Sequence, residues 1–257
     1  MVETSAGLLQ ARHVIDARPP DPQRLAGSQL LQSFYGREIT IAKPTDASIA
    51  DVMYDMRCDS QGFVFAYVLP LSPRNALVEV TRFAAKFHGR PALARELDTL
   101  LANRGWSDAS VVREEHAVLP MGLPRLSRHE AIPGMVRAGT AAGALRAASG
   151  YGFLRIQSWA EHCVNAIARE QRPLGHPPEP RLRRWMDEVF LRTLATHPEL
   201  MPEFFVRLAA RVPPAALARF LSDAAHPGDV LRVIAALPPG PFLRAILERH
   251  SAWGRRP

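Results

Sequence analysis

Residues 61–83 read QGFVFAYVLPLSPRNALVEVTRF, and the alternation in this stretch decides the fold class. Phe63, Phe65 and Tyr67 recur at period two, and Val64, Ala66 and Val68 fill the positions between them. Successive side chains on a strand point to opposite faces, so apolar residues at every position mean that neither face meets much water. Pro70 ends the run, Ser72-Pro73-Arg74-Asn75 carry turn chemistry, and 76–81 resumes an extended, β-branched pattern. The spacing predicts a β-hairpin. Its second strand holds one ionisable group, Glu79. Such a residue either points to solvent from an edge strand or stands against aromatic walls, where desolvation keeps its proton on.

Working outward, 34–42 and 52–58 also alternate, and with the hairpin they predict a four-stranded antiparallel meander. Asp55 and Arg57 lie two apart and share a face, the spacing of an ordinary exposed ion pair. Residues 91–103 have helical spacing through Leu93, Leu97, Leu100 and Leu101, with Gly105 as the stop. The segment 111–121, VVREEHAVLPM, reads as a returning strand. Glu114 and Glu115 are neighbours there, so they project to opposite faces and only one can look into a pocket.

Residues 138–157, AGTAAGALRAASGYGFLRIQ, crowd small side chains ahead of a helix over 151–169. Free N–H groups at such a helix start suit an anionic or electron-rich ligand, while small residues also serve tight helix packing. After a proline-rich break at 175–180, helices are expected over 181–196, 198–211, 214–224, 228–237 and 241–250. Proline stands near several of these starts, and Phe190, Phe204, Phe205, Phe220 and Phe242 supply apolar faces. The fold class is α+β.

A chain of 257 residues with 47% apolar and 22% charged residues can bury a sizeable core and is not disordered. The net charge of +7 comes almost wholly from scattered arginines, Lys43 and Lys86 being the only lysines. No interleaving of basic and aromatic residues points to nucleic acid, whereas a basic surface toward anionic lipid is compatible with the charge. Cys58 and Cys163 are isolated, which fits a reducing compartment, and the histidines form no metal-binding spacing, so no metal is expected. No apolar run is long enough to span a bilayer, and no signal peptide is evident.

The order LPLSPRNALVEVT resembles the lycopene cyclase family of carotenoid biosynthesis, in which a Phe-Leu-Glu-Glu-Thr-like segment carries the acid of cyclisation. Leu77-Val78-Glu79-Val80-Thr81 matches with Val80 in place of the second acid. Gln32 to Ile39 is similar to the segment that follows the family's flavin-binding domain, and Asp55-Met56-Arg57 matches a Met-Asp-x-Arg-like segment. Glu114-Glu115 stands where the family has an acidic pair followed by an Ile-Pro-Met-like end. Arg146, Gly150, Tyr151 and Phe153 match a Gly-Gly-x-x-x-Arg-x-x-x-Gly-Tyr-x-Phe segment that lines the flavin, with Ser149 at a position that is usually Thr.

The resemblance implies the end of a flavin-binding domain over 1–30 and an antiparallel substrate-binding sheet with one helix over 31–125. It implies a flavin-facing loop and helix over 126–175 and a helical C-terminal cap over 176–257. It implies cyclisation of the ψ-end groups of lycopene to β-ionone rings without net redox. Glu79 would be the proton donor, and Asp55 and Glu114 would orient groups or receive the departing proton. Gly139, Gly143, Arg146, Ser149, Gly150 and Tyr151 would face reduced FAD, itself supplied with electrons by NAD(P)H. The partners implied are lycopene or a related carotenoid and peripheral membrane lipid on the cytoplasmic face of the cell membrane, with Phe242 and Leu243 toward lipid and Arg232 and Arg244 near headgroups. The family's GxGxxG-type loop is missing, so the chain alone is expected to purify without flavin. Two other readings stay open: a non-catalytic remnant or membrane-associated binding module, and a prenyl reductase or hydroxylase. A hydroxylase should keep a Gly-Asp pair near the flavin, and 133–152 has none. A Gly-rich βαβ segment encoded in frame upstream of Met1 would favour the enzyme.

Overall fold

A computed structural model describes residues 2–19, 25, 28–122 and 134–253; part of the expected flavin-facing segment, 126–133, lies outside the described residues. β1 (Val2–Thr4) and β2 (Gly7–Leu9) pair as a short hairpin. β3 (Val14–Asp16) runs parallel to a strand far along the chain, β9 (Met135–Arg137). Between them lies an antiparallel five-stranded sheet of β4 (Leu30–Thr40), β5 (Asp51–Asp59), β6 (Gly62–Ser72), β7 (Asn75–Ala84) and β8 (Ser110–Met121). The order across the sheet is β5-β6-β7-β4-β8.

The hairpin over 61–83 forms as its alternation predicts, with Tyr67 opposite Glu79. The four-stranded meander does not, because β4 pairs with β7 and β8 instead of β5. Burial explains the correction. β4 is buried or half-buried along its whole length, as a central strand must be, while β5 alternates into solvent and occupies the edge. Register shifts break the β5–β6 ladder, and Met53 and Asp55 adopt left-handed backbone there, features that blunt an exposed edge.

The two faces of the sheet bury different partners. On one, α1 (Arg90–Asn103) packs Leu93, Leu97, Leu100 and Leu101 against Tyr35, Ile39, Val64, Ala66, Val78 and Val80. After β9 the chain passes through a short 3-10 turn, Thr140–Ala142, into α2 (Phe153–Glu170) and then α3 (Arg181–Thr196) and α4 (Met201–Arg211). Leu191, Leu194, Met201 and Phe204 from α3 and α4 cover Phe63, Phe65 and Phe83 on the second face. Each large side chain so buried contributes roughly 2 kcal/mol of transfer free energy, enough to fix the cap on the sheet.

α5 (Pro214–Leu221), α6 (Pro227–Ala236) and α7 (Pro239–Trp253) complete the cap, each with a proline in its first turn, where a missing N–H costs nothing. Phe242 was expected near lipid; its ring lies 5.3 Å from that of Phe204 and 6.1 Å from that of Phe190, so it belongs to the core. Leu243 does face outward. No single helix among the described residues is long and apolar enough to cross a membrane; α6 and Pro239–Glu248 of α7 reach that measure jointly but meet at 101°.

Candidate functional site

On the aromatic face, side chains two residues apart line up in rows across the strands. One row runs Tyr67 on β6, Glu79 on β7, Gly36 on β4 and Glu115 on β8. The next holds Phe65, Thr81, Phe34 and Ala117, and the third Phe63, Phe83, Gln32 and Leu119. Tyr67 stands edge-on to Phe65, whose ring centroid is 5.3 Å away.

Glu79 accepts a hydrogen bond from the Thr81 hydroxyl at 2.8 Å. Burial pushes its pKa up to about 7; Thr81 works against that rise, and the nearby Glu115 carboxyl adds to it by repulsion and by a hydrogen bond. Tyr67 is pushed up to about 12, by burial first and then by Glu79. Gly36 makes the approach of the two acids possible. A Cβ at Gly36 would stand 3.2 Å from Glu115 Cγ, 3.3 Å from Glu115 Oε1 and 3.4 Å from Glu79 Cβ, so any larger residue would press on both.

The strand geometry therefore selects Glu115, not Glu114, as the acid beside Glu79. Glu114 projects to the α1 face, where the Tyr35 hydroxyl donates to it at 2.7 Å, Arg37 lies at 3.5 Å and Arg90 pairs with it. The Tyr35 hydrogen bond, then Arg90 and Arg37, lower its pKa, the reverse of what holds a proton. Counting back in twos from buried Met121 reaches Glu115, a signal that the sequence does carry. Asp55 is not brought to Glu79 either. It pairs with Arg57 on the edge strand and lines a cavity of about 250 Å³ with Val64, Ala66 and Val80, which belong to the α1 face.

The small-residue loop reaches the same face as Glu79. Gly139 and Gly143 bracket the 3-10 turn with positive φ, and the Gly139 N–H donates to His176 Nε2 at 3.2 Å. Gly150, at φ +68°, sits over Gln32: a Cβ there would come within 2.6 Å of Gln32 Oε1. Gln32 and Gly36 are four residues apart on β4, so loop and acid row are separated by about 14 Å along the strand. Gln32 Oε1 is buried and has no hydrogen-bond partner, an arrangement that buried oxygens rarely keep without a ligand or water. Ser149 Oγ accepts from the Tyr151 N–H at 3.3 Å, and the Tyr151 carbonyl accepts from the Arg146 N–H at 2.8 Å.

Arg146, expected to face a cofactor, is instead committed to the protein. It is buried, with Nε and Nη2 donating to Asp187 at 3.3 and 3.0 Å and Nη1 donating to the Phe220 carbonyl at 2.6 Å. Its guanidinium also lies 4.3 Å from the centroid of the Phe220 ring. Asp223 continues the network to Arg155 and Arg183, both of which also hold Glu179. Three arginines and three acids tie the loop to the cap. No sequence spacing links Arg146 to Asp187, so this role was not readable in advance.

A model of the family described as Lycopene cyclase protein matches residues 1–247. The lycopene beta-cyclase of Pantoea ananas is 27% identical over 93% of this chain and 64% of that protein. The lycopene beta-cyclase of Pseudescherichia vulneris is 30% identical over 63% of this chain and 43% of that protein, and that of Paracoccus sp. is 26% identical over 93% and 64%. The chain thus spans less than two thirds of the length of these relatives. A crystal structure of a geranylgeranyl bacteriochlorophyll reductase-like protein from Thermoplasma acidophilum aligns with 94% of this chain and 62% of that one, at 15% identity and a TM-score of 0.47, a likeness too distant to carry an argument. The match over nearly its whole length places this chain in the lycopene cyclase family.

Proposed function

We propose that this chain carries the acid site of lycopene cyclisation, with Glu79 as proton donor. One observation carries the reading: a carboxyl pushed up to about 7, set between an aromatic ring and a second carboxyl. A general acid must hold a proton near neutral pH and release it within that range. In the reaction, the O–H bond of Glu79 breaks as a C–H bond forms at the terminal double bond of the ψ-end group. The tertiary cation so formed is attacked by the internal alkene, and loss of a ring proton leaves the β-ionone ring. Electrons are neither gained nor lost overall. Tyr67 stands opposite Glu79 and edge-on to Phe65, and aromatic rings so placed attract a cation.

The family implies reduced FAD, kept reduced by NAD(P)H. Gln32 Oε1 supplies an acceptor that a flavin ring could use, because that oxygen is buried and unsatisfied where the Gly150 loop approaches the sheet. Those groups and Tyr151 are the ones that would hold it, while Arg146 is excluded by its bonds to Asp187. When bound, reduced flavin supplies negative charge that stabilises the carbocation. Exposed Leu231 and Ile234 on α6 and Leu243 and Leu247 on α7, flanked by Arg232 and Arg244, support a cap that rests on anionic lipid at the inner face of the cell membrane. Binding to anionic liposomes at low salt tests that part.

The deciding experiment is expression of the protein carrying this chain in lycopene-accumulating bacteria. Cyclic carotenoids are expected from the wild type, and unconverted lycopene from a folded Glu79→Gln variant. An active Glu79→Gln variant would overturn the assignment.

A further inference from the structure

Donation leaves Glu79 as a carboxylate within an apolar wall, and it must regain a proton before a second end group can react. The groups facing it are few. Tyr67 approaches from β6, Thr81 from its own strand and Glu115 from β8, while β4 contributes Gly36. One row further out, Arg113 donates to Glu115 at 2.9 Å and approaches Glu38 at 3.4 Å. Arg37, beside Gly36 in sequence, points to the α1 face, where it binds Asp98 and Tyr35. Among the described strand residues on this face, then, Arg113 is the cation, and it acts on Glu115 and not on Glu79.

The two acids differ in their access to water. The Glu115 side chain is 29% exposed and rests on Arg113, itself 55% exposed. Glu79 stands inward of it, reached across the gap that Gly36 leaves open. We propose that Glu115 is the positioning and proton-reloading partner of Glu79: a carboxyl pair that shares one proton and passes it inward from solvent. The proton count balances over a turnover. Glu79 gives one proton to the substrate carbon, and the ring loses one to water. Water delivers one to a Glu115 oxygen, and Glu115 transfers it to Glu79, restoring the starting state. Repulsion between two adjacent carboxylates favours uptake as soon as Glu79 is spent. This deepens the cyclase reading and rests on it for the chemistry, but the shared proton is a property of the pair alone.

The test uses the chain without substrate, with ¹³C-labelled glutamate, following the protonated carboxyl by infrared or NMR titration. In the wild type a single glutamate should lose its proton near pH 7. Glu115→Gln should move that midpoint downward by about one unit, the size of effect expected for removing an adjacent like charge. Gly36→Ala keeps both acids but wedges them apart, and should move it in the same direction. Glu114→Gln should leave it in place. In lycopene conversion, Glu115→Gln should preserve the first turnover and slow the steady state by about 100-fold, the low end for proton-transfer groups. A midpoint unchanged in Glu115→Gln, or a steady-state rate unchanged despite a shifted midpoint, overturns the proposal. Failure of the wild type to cyclise lycopene strikes the cyclase reading alone and leaves the titration standing.

Discussion

On the α1 face of the sheet, Arg82 is 3% exposed and is answered by Asp59 at 2.6 Å and Glu96 at 2.8 Å. On the aromatic face, Glu79 is half-buried, and the charged group that bears on it is another acid. Adjacent Glu114 and Glu115 repeat the contrast. Glu114, on the α1 face, meets Tyr35, Arg37 and Arg90, whereas Glu115 has Arg113 on its outer side and an acid, Glu79, on its inner one. A sheet can thus bury charge in two ways: compensated, where the ions hold structure together, or uncompensated, where a proton takes the place of the missing counter-ion. The second arrangement costs stability and yields an acid.

The largest effect expected from this contrast is on activity. Glu79→Gln should lower lycopene conversion by at least about 100-fold, the usual share of a general acid. Product analysis of pigments from a lycopene-accumulating host checks it. Next in size is the compensated side. Arg82→Met leaves Asp59 and Glu96 without their buried partner and should cost about 3 kcal/mol in urea unfolding at neutral pH. A loss well under 1 kcal/mol would show that the α1-face charges are surface pairs of little weight, and the contrast would collapse.

Glu79→Gln should act with the opposite sign. The unfolded carboxyl loses its proton near 4.5 and the folded one near 7, so wild-type stability from this group is full below the lower value and falls as pH rises through the higher. Glutamine never ionises. The variant should therefore match the wild type at pH 4 and exceed it by up to about 3 kcal/mol at pH 8. Equal stability at both pH values would mean that Glu79 is hydrated and no special acid. The smallest effect belongs to Glu114→Gln, which should leave both the conversion rate and the Glu79 titration where they were. A shift in either would mean that the two faces communicate.

The local patterns were readable, and the long-range ones were not. The hairpin over 61–83, α1 and α3, whose bounds Arg181–Thr196 match the expected span, follow from periodicity and from proline and glycine placed at their ends. The position of β4 between β7 and β8 depends on which strands bury both faces, a comparison among strands that no single strand displays. Glu79 was legible because it is the lone ionisable group in the apolar run 76–81, and Glu115 would have been legible from the parity of its strand. Arg146 was not. The resemblance placed it beside a flavin, but its carboxylate partner lies on a helix 41 residues further along, a meeting that only packing creates.

Leu30 and Met121, at the two ends of the sheet, are directly paired. The chain therefore enters and leaves the whole sheet at a single point, one strand spacing wide. Residues 14–16 and 135–137, which must find each other to form the β3–β9 pair, are more than a hundred positions apart in the free chain. Once the sheet has formed, only two short connectors separate them. Closing that smaller loop relieves roughly 1 kcal/mol of chain entropy. A three-residue parallel pair too small to stand by itself is thus left to assemble last. The register of one residue pair predicts an order of folding: sheet first, then the β3–β9 clasp that sets Arg12 to Ala17 alongside Gly134 to Gly139. Pulsed hydrogen exchange would read that order as later protection of the clasp amides.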